Sequence, residues 1–127
     1  MDSKLENQLI LAAQTAQENA YAPYSNYKVG AAVLTASGKI YTGANFENAA
    51  FGAGTCAERV ALGAALAAGE REFVAVACVG ADVSITPCGI CRQALAEFGD
   101  MDVICAGENG EIRKYRLSEL LPHSFSM

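Results

Sequence analysis

Histidine, proline and tryptophan are scarce in this sequence of 127 residues, which has one histidine, three prolines and no tryptophan. The histidine, His123, lies in the terminal tail, so a metal site in the middle of the chain would need other ligands. Also missing is any run of about 18 apolar residues, the length that crosses a bilayer. The first ten residues mix charged and apolar side chains, unlike a signal peptide. We therefore expect a cytoplasmic protein that does not contact a membrane.

Long runs of positive charge are absent as well. Nine lysines and arginines stand against 14 aspartates and glutamates, which gives a net charge of −5 and a pI near 4.8. The densest basic cluster, RKYR at 113–116, is most simply the exposed face of a strand. Binding to a phosphate backbone needs many lysine and arginine contacts. The composition therefore disfavours nucleic-acid partners, whereas a small neutral ligand remains compatible with it.

The length of the chain fits a single domain, which we place at 1–127. Hydrophobic residues make up 52% of the sequence and many of them are alanine. Because a small apolar-rich domain often extends its core into a partner subunit, we expect a homo-oligomer. Five cysteines are present, and in the cytoplasm cysteines are more often thiols or metal ligands than disulfide partners.

The spacing of apolar residues predicts four helices and five strands. Helices are expected at 3–20, 55–68, 88–98 and 118–121, and strands at 27–35, 39–44, 73–80, 102–106 and 111–117. Ser3 and Glu6 form a candidate capping box for the first helix, and Ser118 is a candidate cap for the last. Two strand–helix–strand crossovers, with a hairpin near each end, predict an α/β fold. We expect three α-β-α layers around a mixed sheet of about five strands.

Cysteines stand at the starts of two central helices. Cys56 opens the second predicted helix, and Cys88 and Cys91, spaced C-x-x-C, open the third. A helix N-terminus has unpaired N–H groups and the positive end of the dipole, and both lower the pKa of a thiol. Because both helices adjoin the strand at 73–80, their N-termini can meet at one edge of the sheet. By itself, the C-x-x-C spacing also fits a redox pair or buried small residues.

Three converging thiolates would select zinc among the common cytoplasmic metals. The remaining two cysteines, Cys78 and Cys105, lie in apolar strands, where we expect them to pack in the core. Without a fourth protein ligand, one tetrahedral position stays open, as in catalytic zinc sites. We predict one Zn²⁺ per chain, held by Cys56, Cys88 and Cys91.

Two charged residues follow Cys56. Glu58 lies in the first turn of its helix, where a carboxylate either complements the helix dipole or exchanges a proton with zinc-bound water. Arg59 is either one half of a surface ion pair or a hydrogen-bond donor that offsets the charge of the thiolates from behind the metal ligands. We favour the second role for each residue.

These residues resemble the signature of the zinc-dependent cytidine deaminases, a His or Cys followed by x-Glu and then by Pro-Cys-x-x-Cys. The chain carries it as CAE at 56–58 and as PCGIC at 87–91. Three further stretches are similar to the same family. They are YSNYKVGAAV (24–33), like its first strand, NFENAAFG (45–52), like its nucleoside-binding loop, and LLPHSF (120–125), like its C-terminal end. The all-cysteine ligand set resembles the small homotetrameric branch.

The resemblance implies the hydrolytic deamination of free cytidine and 2′-deoxycytidine to uridine and 2′-deoxyuridine, with release of ammonia. Zinc-bound hydroxide would attack C4 of the cytosine ring, and Glu58 would shuttle protons to N3 and then to the departing amine. The fold would be that of the cytidine deaminases, and the sites would be completed by neighbouring subunits of a homotetramer.

The resemblance also assigns contacts with the substrate. Asn45 and Glu47 match residues that hydrogen-bond the ribose hydroxyls, and Tyr27 matches a phenylalanine that packs against the pyrimidine. Ala57 is implied to contact the substrate, and Phe125 matches an aromatic that closes the pocket of a neighbouring subunit. Plainer explanations are loop capping for Asn45 and Glu47, strand packing for Tyr27 and a disordered tail for Phe125.

Three other functions compete with this interpretation. A deaminase of a modified cytosine nucleoside such as blasticidin S would share the same cysteine and glutamate motifs, although Asn45 and Glu47 suit an ordinary ribose better. Editing of polynucleotides is disfavoured by the acidic charge. A zinc-stabilised binding module without catalysis would require that Glu58 has no chemical role.

Overall fold

Five strands form one mixed sheet in the computed structural model, which describes residues 1–127. In chain order they are β1 (Gly30–Thr35), β2 (Ile40–Ala44), β3 (Phe73–Gly80), β4 (Asp102–Gly107) and β5 (Ile112–Arg116). In the sheet they lie in the order β2-β1-β3-β4-β5. Strand β1 is antiparallel to both of its neighbours, β3 and β4 are parallel, and β5 is antiparallel to β4. The predicted mixed sheet of five strands is confirmed.

Four helices cover the two faces of this sheet: α1 (Ser3–Gln17), α2 (Ala57–Ala67), α3 (Gly89–Ala96) and α4 (Leu117–Leu120). On one face, Leu9 and Ala13 of α1 pack in a core with β1, β3 and β4. On the other face, α2, α3 and α4 share a second core that includes Leu62 and Leu95. The expected three-layer α-β-α arrangement is therefore confirmed. None of the helices combines the length and the apolar character that a bilayer crossing requires.

The two predicted N-terminal caps are wrong. Asp2, one residue before Ser3, caps α1 by accepting a backbone N–H of the first turn at 2.8 Å. A carboxylate also complements the helix dipole, which a serine hydroxyl does not. Helix α4 begins one residue earlier than expected, after Arg116, whose N–H donates to Glu119 Oε1 at 2.8 Å. Ser118 therefore lies inside that helix.

Other element boundaries shift by a few residues. The first helix ends at 17 rather than 20, the second and third begin after their first cysteines and end at 67 and 96, and the first strand starts at 30 rather than 27. The strand starts late because the N–H groups of Tyr27 and Val29 donate to the side chains of Ser25 and Asn45. Residues 18–29 thus form a loop that is held by side chains.

Helix α2 lies against β2 at a distance that only glycine permits. A Cβ atom on Gly43 would lie 2.4 Å from the backbone N of Ala61 and 2.6 Å from the carbonyl oxygen of Ala57. Because both atoms belong to the backbone of α2, no side-chain rotation relieves the clash. This contact fixes the position of α2, and with it Glu58, relative to the sheet.

We expect the Gly43→Ala variant to lose about 1–3 kcal/mol of stability, because the added methyl group pushes α2 away from the sheet. Gly63→Ala is the matched control, since nothing lies within 4 Å of a Cβ at that exposed position of the same helix. Alanine there should add about 0.5–1 kcal/mol. Urea unfolding measures both free energies, and equal stability of the two variants would contradict the close contact.

Candidate active site

Three thiols meet where α2 and α3 begin. Cys56 is the residue that precedes α2, Cys88 precedes α3, and Cys91 lies in the first turn of α3. Their three Sγ atoms all lie within 4.8 Å of one another, with 3.8 Å between Cys56 and Cys88 and 3.6 Å between Cys88 and Cys91. The expected meeting of the two helix N-termini is confirmed. Cys78 and Cys105 are buried in β3 and β4, as expected of core residues.

The thiols fit a zinc ion by their chemistry as well as their position. Hydrogen bonds from the thiol of Cys91 and from Arg59 and Cys88 lower the pKa of Cys56 to about 5, against the opposing effect of burial. The hydrogen bond to Cys56, together with burial, raises the pKa of Cys91. Three soft sulfur donors that lie this close together are a donor set that binds Zn²⁺. The cluster could hold one such ion per chain.

Arg59 lies beside the thiols. Its Nη2 donates to Cys56 Sγ at 3.7 Å, and its Nε is buried without a hydrogen-bond partner. The thiolates in turn raise the pKa of the guanidinium, chiefly through hydrogen bonds with Cys91 and Cys56. The side chain is not engaged in any ion pair with a carboxylate, so the surface-pair explanation does not apply.

Glu58 is a buried carboxyl next to this cluster. Only 3% of its surface is exposed, and it forms no hydrogen bond with another side chain. Burial raises its pKa to about 6, and the negative charge of Cys56 adds to the rise while Arg59 opposes it. A carboxyl with a pKa near the working pH can both take and return a proton. An acid that only complements a helix dipole would be exposed to solvent, whereas Glu58 is buried.

A cavity of about 550 Å³ opens over Cys56 and Arg59. Its walls also include Asn45 and Glu47, which follow β2, and the exposed ring of Phe51. This volume lies within the range of about 300–1,000 Å³ that small-molecule sites occupy. Cys56 and the candidate sugar-binding residues therefore face the same space.

Asn45 and Glu47 both hold the loop at 18–29. Asn45 accepts the N–H of Val29 at 2.8 Å and donates to the carbonyl of Tyr27 at 3.0 Å. Glu47 accepts two backbone N–H groups, from Tyr24 at 2.9 Å and Ser25 at 3.1 Å, and the hydroxyl of Ser25. That hydroxyl is the main reason why the pKa of Glu47 is lowered, which keeps the carboxylate ionised. Asn45 and Glu47 thus do bind backbone groups of the loop, and both residues still line the cavity.

Three other predicted contact residues do not line the cavity of their own chain. Tyr27 is half-buried, with its hydroxyl 3.4 Å from Asp82 Oδ1. Ala57 is fully buried between α2 and β2. Phe125 has 70% of its surface exposed. The structure therefore brings Cys56, Arg59, Asn45 and Glu47 to the cavity, with Glu58 buried beside them.

Sequence reasoning missed the residues that support this site. Arg92 donates to the carbonyls of Pro87 and Leu120, at 2.7 and 2.8 Å, and so joins the loop before α3 to the C-terminal segment. Gln93 pairs with the backbone of Phe125 through two hydrogen bonds, at 2.9 and 3.0 Å. The tail is therefore attached to α3, which contradicts the explanation of a disordered tail. The only hint in the sequence was that Arg92 and Gln93 directly follow the cysteine motif at 87–91.

Comparisons with known proteins agree with the site. The family model for the cytidine and deoxycytidylate deaminase zinc-binding region matches residues 3–107. A cytidine deaminase of Halalkalibacterium halodurans is 46% identical over 122 residues, which cover 93% of this chain and 92% of that protein. The chain belongs to the cytidine and deoxycytidylate deaminase family. The resemblance seen in the sequence is thereby confirmed.

Solved cytidine deaminases share the fold. The enzyme from Burkholderia pseudomallei is 48% identical, with a TM-score of 0.91, and the match covers 98% of this chain and all of that one (100%). The cytidine deaminase from Mycobacterium tuberculosis is 35% identical, with a TM-score of 0.80 and coverage of 96% and 98%. The sheet and the layers described above are therefore those of cytidine deaminases.

The zinc content should depend on Cys88 and not on the core cysteines. We expect protein with Cys88→Ala to retain far less than one zinc per chain, because two thiols alone bind weakly. Cys105→Ala is the matched control, since Cys105 is equally a free cysteine but lies in β4 next to Cys78. Metal analysis of both purified variants measures the difference. Full zinc in the Cys88 variant would contradict the ligand set.

Proposed function

We propose that this protein hydrolyses free cytidine and 2′-deoxycytidine to uridine and 2′-deoxyuridine, releasing ammonia. The observation that carries the proposal is the buried carboxyl of Glu58 next to three converging thiols, beneath a cavity large enough for a nucleoside. The similar proteins described above are named cytidine deaminases, which supports the same substrate. We take the whole chain, 1–127, as one domain that carries this site.

Each residue of the site has a place in the reaction. Cys56, Cys88 and Cys91 hold one Zn²⁺, which, when bound, supplies the Lewis acidity that makes water nucleophilic near neutral pH. Glu58 takes one proton from the attacking water and delivers it to N3 of the ring, and then takes the second proton from the new hydroxyl on C4 and delivers it to the leaving amine. A bond from C4 to oxygen forms, the bond from C4 to the exocyclic nitrogen breaks, and ammonia leaves. Arg59 offsets the charge of the thiolates.

The remaining assignments concern the substrate and the assembly. We propose that Asn45 and Glu47 bind the ribose hydroxyls and that Tyr27 and Ala57 shape the pyrimidine site. Phe125 would close the site of a neighbouring subunit in a homotetramer. Its exposed ring and its attached backbone support this role, since a ring that served its own chain would lie in that chain's cavity.

The substrate is a free nucleoside in this proposal, and the compartment is the cytoplasm. The basic cluster of β5 supports the first point, because its cations already pair with carboxylates, as in Arg113 with Glu111 and Lys114 with Glu6. These neighbouring carboxylates offset part of the positive charge that a phosphate backbone would meet on this strand. The five cysteines are all free thiols, which suits a reducing compartment.

Zinc-loaded protein should remove the absorbance of the cytosine ring of cytidine and release one ammonia for each uridine formed. The Glu58→Gln variant, which cannot take a proton, should turn over about 10²- to 10⁴-fold more slowly while it keeps its zinc. Steady-state assays and metal analysis measure both quantities. Unchanged turnover in the Glu58 variant would show that another group is the proton carrier.

Blasticidin S, assayed alongside cytidine, is the control for substrate class. We expect cytidine to be far the better substrate, because Asn45 and Glu47 present hydrogen-bonding groups suited to ribose. Turnover of blasticidin S alone would move the protein to the deaminases of modified nucleosides. Turnover of neither, with one zinc per chain, would contradict the proposed function.

Subunits that lack different parts of the site should complement each other. Phe125→Ala alone should lower kcat/KM by about tenfold, and Glu58→Gln alone should be almost inactive. If Phe125 serves a neighbour, mixed assemblies of the two variants contain some sites with both groups intact, on the order of a quarter in random assembly. Kinetics of the co-expressed mixture test this. Activity no higher than the sum of the separate variants would contradict a shared site.

A further inference from the structure

Ser25 lies between the cavity and the loop that Glu47 holds. Its hydroxyl donates to Glu47 Oε2, and the hydroxyl oxygen of Ser25 in turn accepts the N–H of Tyr27 at 3.0 Å. Its own backbone N–H donates to Glu47 Oε1 at 3.1 Å. Ser25 therefore contacts both oxygens of the carboxylate, and it lines the same cavity as Glu47.

These contacts nearly fill the capacity of the carboxylate. An ionised carboxylate has about four acceptor positions, and three of them receive donors from within the chain, namely the N–H groups of Tyr24 and Ser25 and the hydroxyl of Ser25. One position remains for a hydroxyl of a ligand. The direction of that position is fixed, because the other three are occupied by donors of one short loop.

The contribution of Ser25 differs from that of the backbone donors. Both backbone N–H groups reach Oε1, so Oε2 depends on the hydroxyl of Ser25 alone. Without that hydroxyl the carboxylate is held through Oε1 alone, so Oε2 is less well oriented and must be ordered further when a ligand binds. The cost of this ordering appears in binding and not in chemistry, because Glu58 and the thiols lie at the starts of α2 and α3, apart from this loop.

We propose that Ser25 is a positioning residue for the recognition of the sugar: its hydroxyl holds the Glu47 carboxylate in the orientation that accepts a ribose hydroxyl. This inference rests on the proposed function, which assigns the ribose contact to Glu47. It adds a residue that does not need to touch the substrate itself.

The Ser25→Ala variant tests the proposal with two substrates. We expect its KM for cytidine to rise about tenfold, the value of one lost hydrogen bond to a charged group, with kcat changed less than about twofold. The KM for 2′,3′-dideoxycytidine, which lacks both ring hydroxyls, should not change. Ser25→Thr keeps the hydroxyl and should restore the KM for cytidine. An equal rise for both substrates would show that Ser25 acts through the loop, and would overturn the proposal.

Ser37→Ala is the matched control, because Ser37 also donates its hydroxyl to a carboxylate, that of Glu70 at 2.9 Å, in the turn between β1 and β2. Its KM for both nucleosides should equal that of the wild type. Calorimetry with uridine provides a readout that is independent of turnover: Ser25→Ala should weaken binding about tenfold. Unchanged binding of uridine would also overturn the proposal.

The double variant of Ser25→Ala with Glu47→Gln tests the positioning role of Ser25 separately from the sugar contact of Glu47. If Ser25 acts through Glu47, the double variant should bind cytidine no more weakly than Glu47→Gln alone. Additive losses would overturn the positioning role while leaving Glu47 as a sugar contact. An unaltered KM in Glu47→Gln would instead contradict the sugar assignment of the proposed function, and the inference would fall with it.

Discussion

The active site depends on two helix N-termini that meet at the carboxyl end of β3. Helix α2 leads into β3 and α3 follows it, so both helices begin at the same end of that strand. Cys56 and Cys88 directly precede these helices, where unpaired N–H groups and the positive ends of two dipoles favour negative charge. The same packing that buries α2 against the sheet also buries Glu58. One arrangement of helices and sheet thus both positions the three thiols and raises the pKa of the Glu58 carboxyl.

On the other side of the cavity, polar side chains serve the fold and the site at once. Asn45 and Glu47 follow β2, and their side chains satisfy backbone groups of a loop that belongs to no regular strand. Because those internal bonds hold the side chains still, a ligand does not need to order them. Loop capping is therefore compatible with the ribose contacts proposed above for these two residues, and it would make those contacts more favourable.

Periodicity and chain order were sufficient to predict the layers, the five strands and the meeting of Cys56 with Cys88 and Cys91. These features follow from local patterns and from the short connections between elements. The caps at Asp2 and Arg116 were missed because polar residues one or two positions apart compete for the same role. The pairs Ser25 with Glu47 and Gln93 with Phe125 could not be predicted, since each joins residues more than 20 positions apart without any local pattern.

One chain leaves the aromatic side of its site uncovered. Phe51, on the cavity wall, has 89% of its surface exposed, and the exposed ring of Phe125 does not line that cavity. Yet the tail is held by Gln93, two residues after Cys91 on the same helix. The position of Phe125 is therefore fixed relative to the thiols of its own chain. In the symmetric homotetramer proposed above, every subunit would present this ring to its neighbour in the same way, so that no tail would have to be ordered at each site.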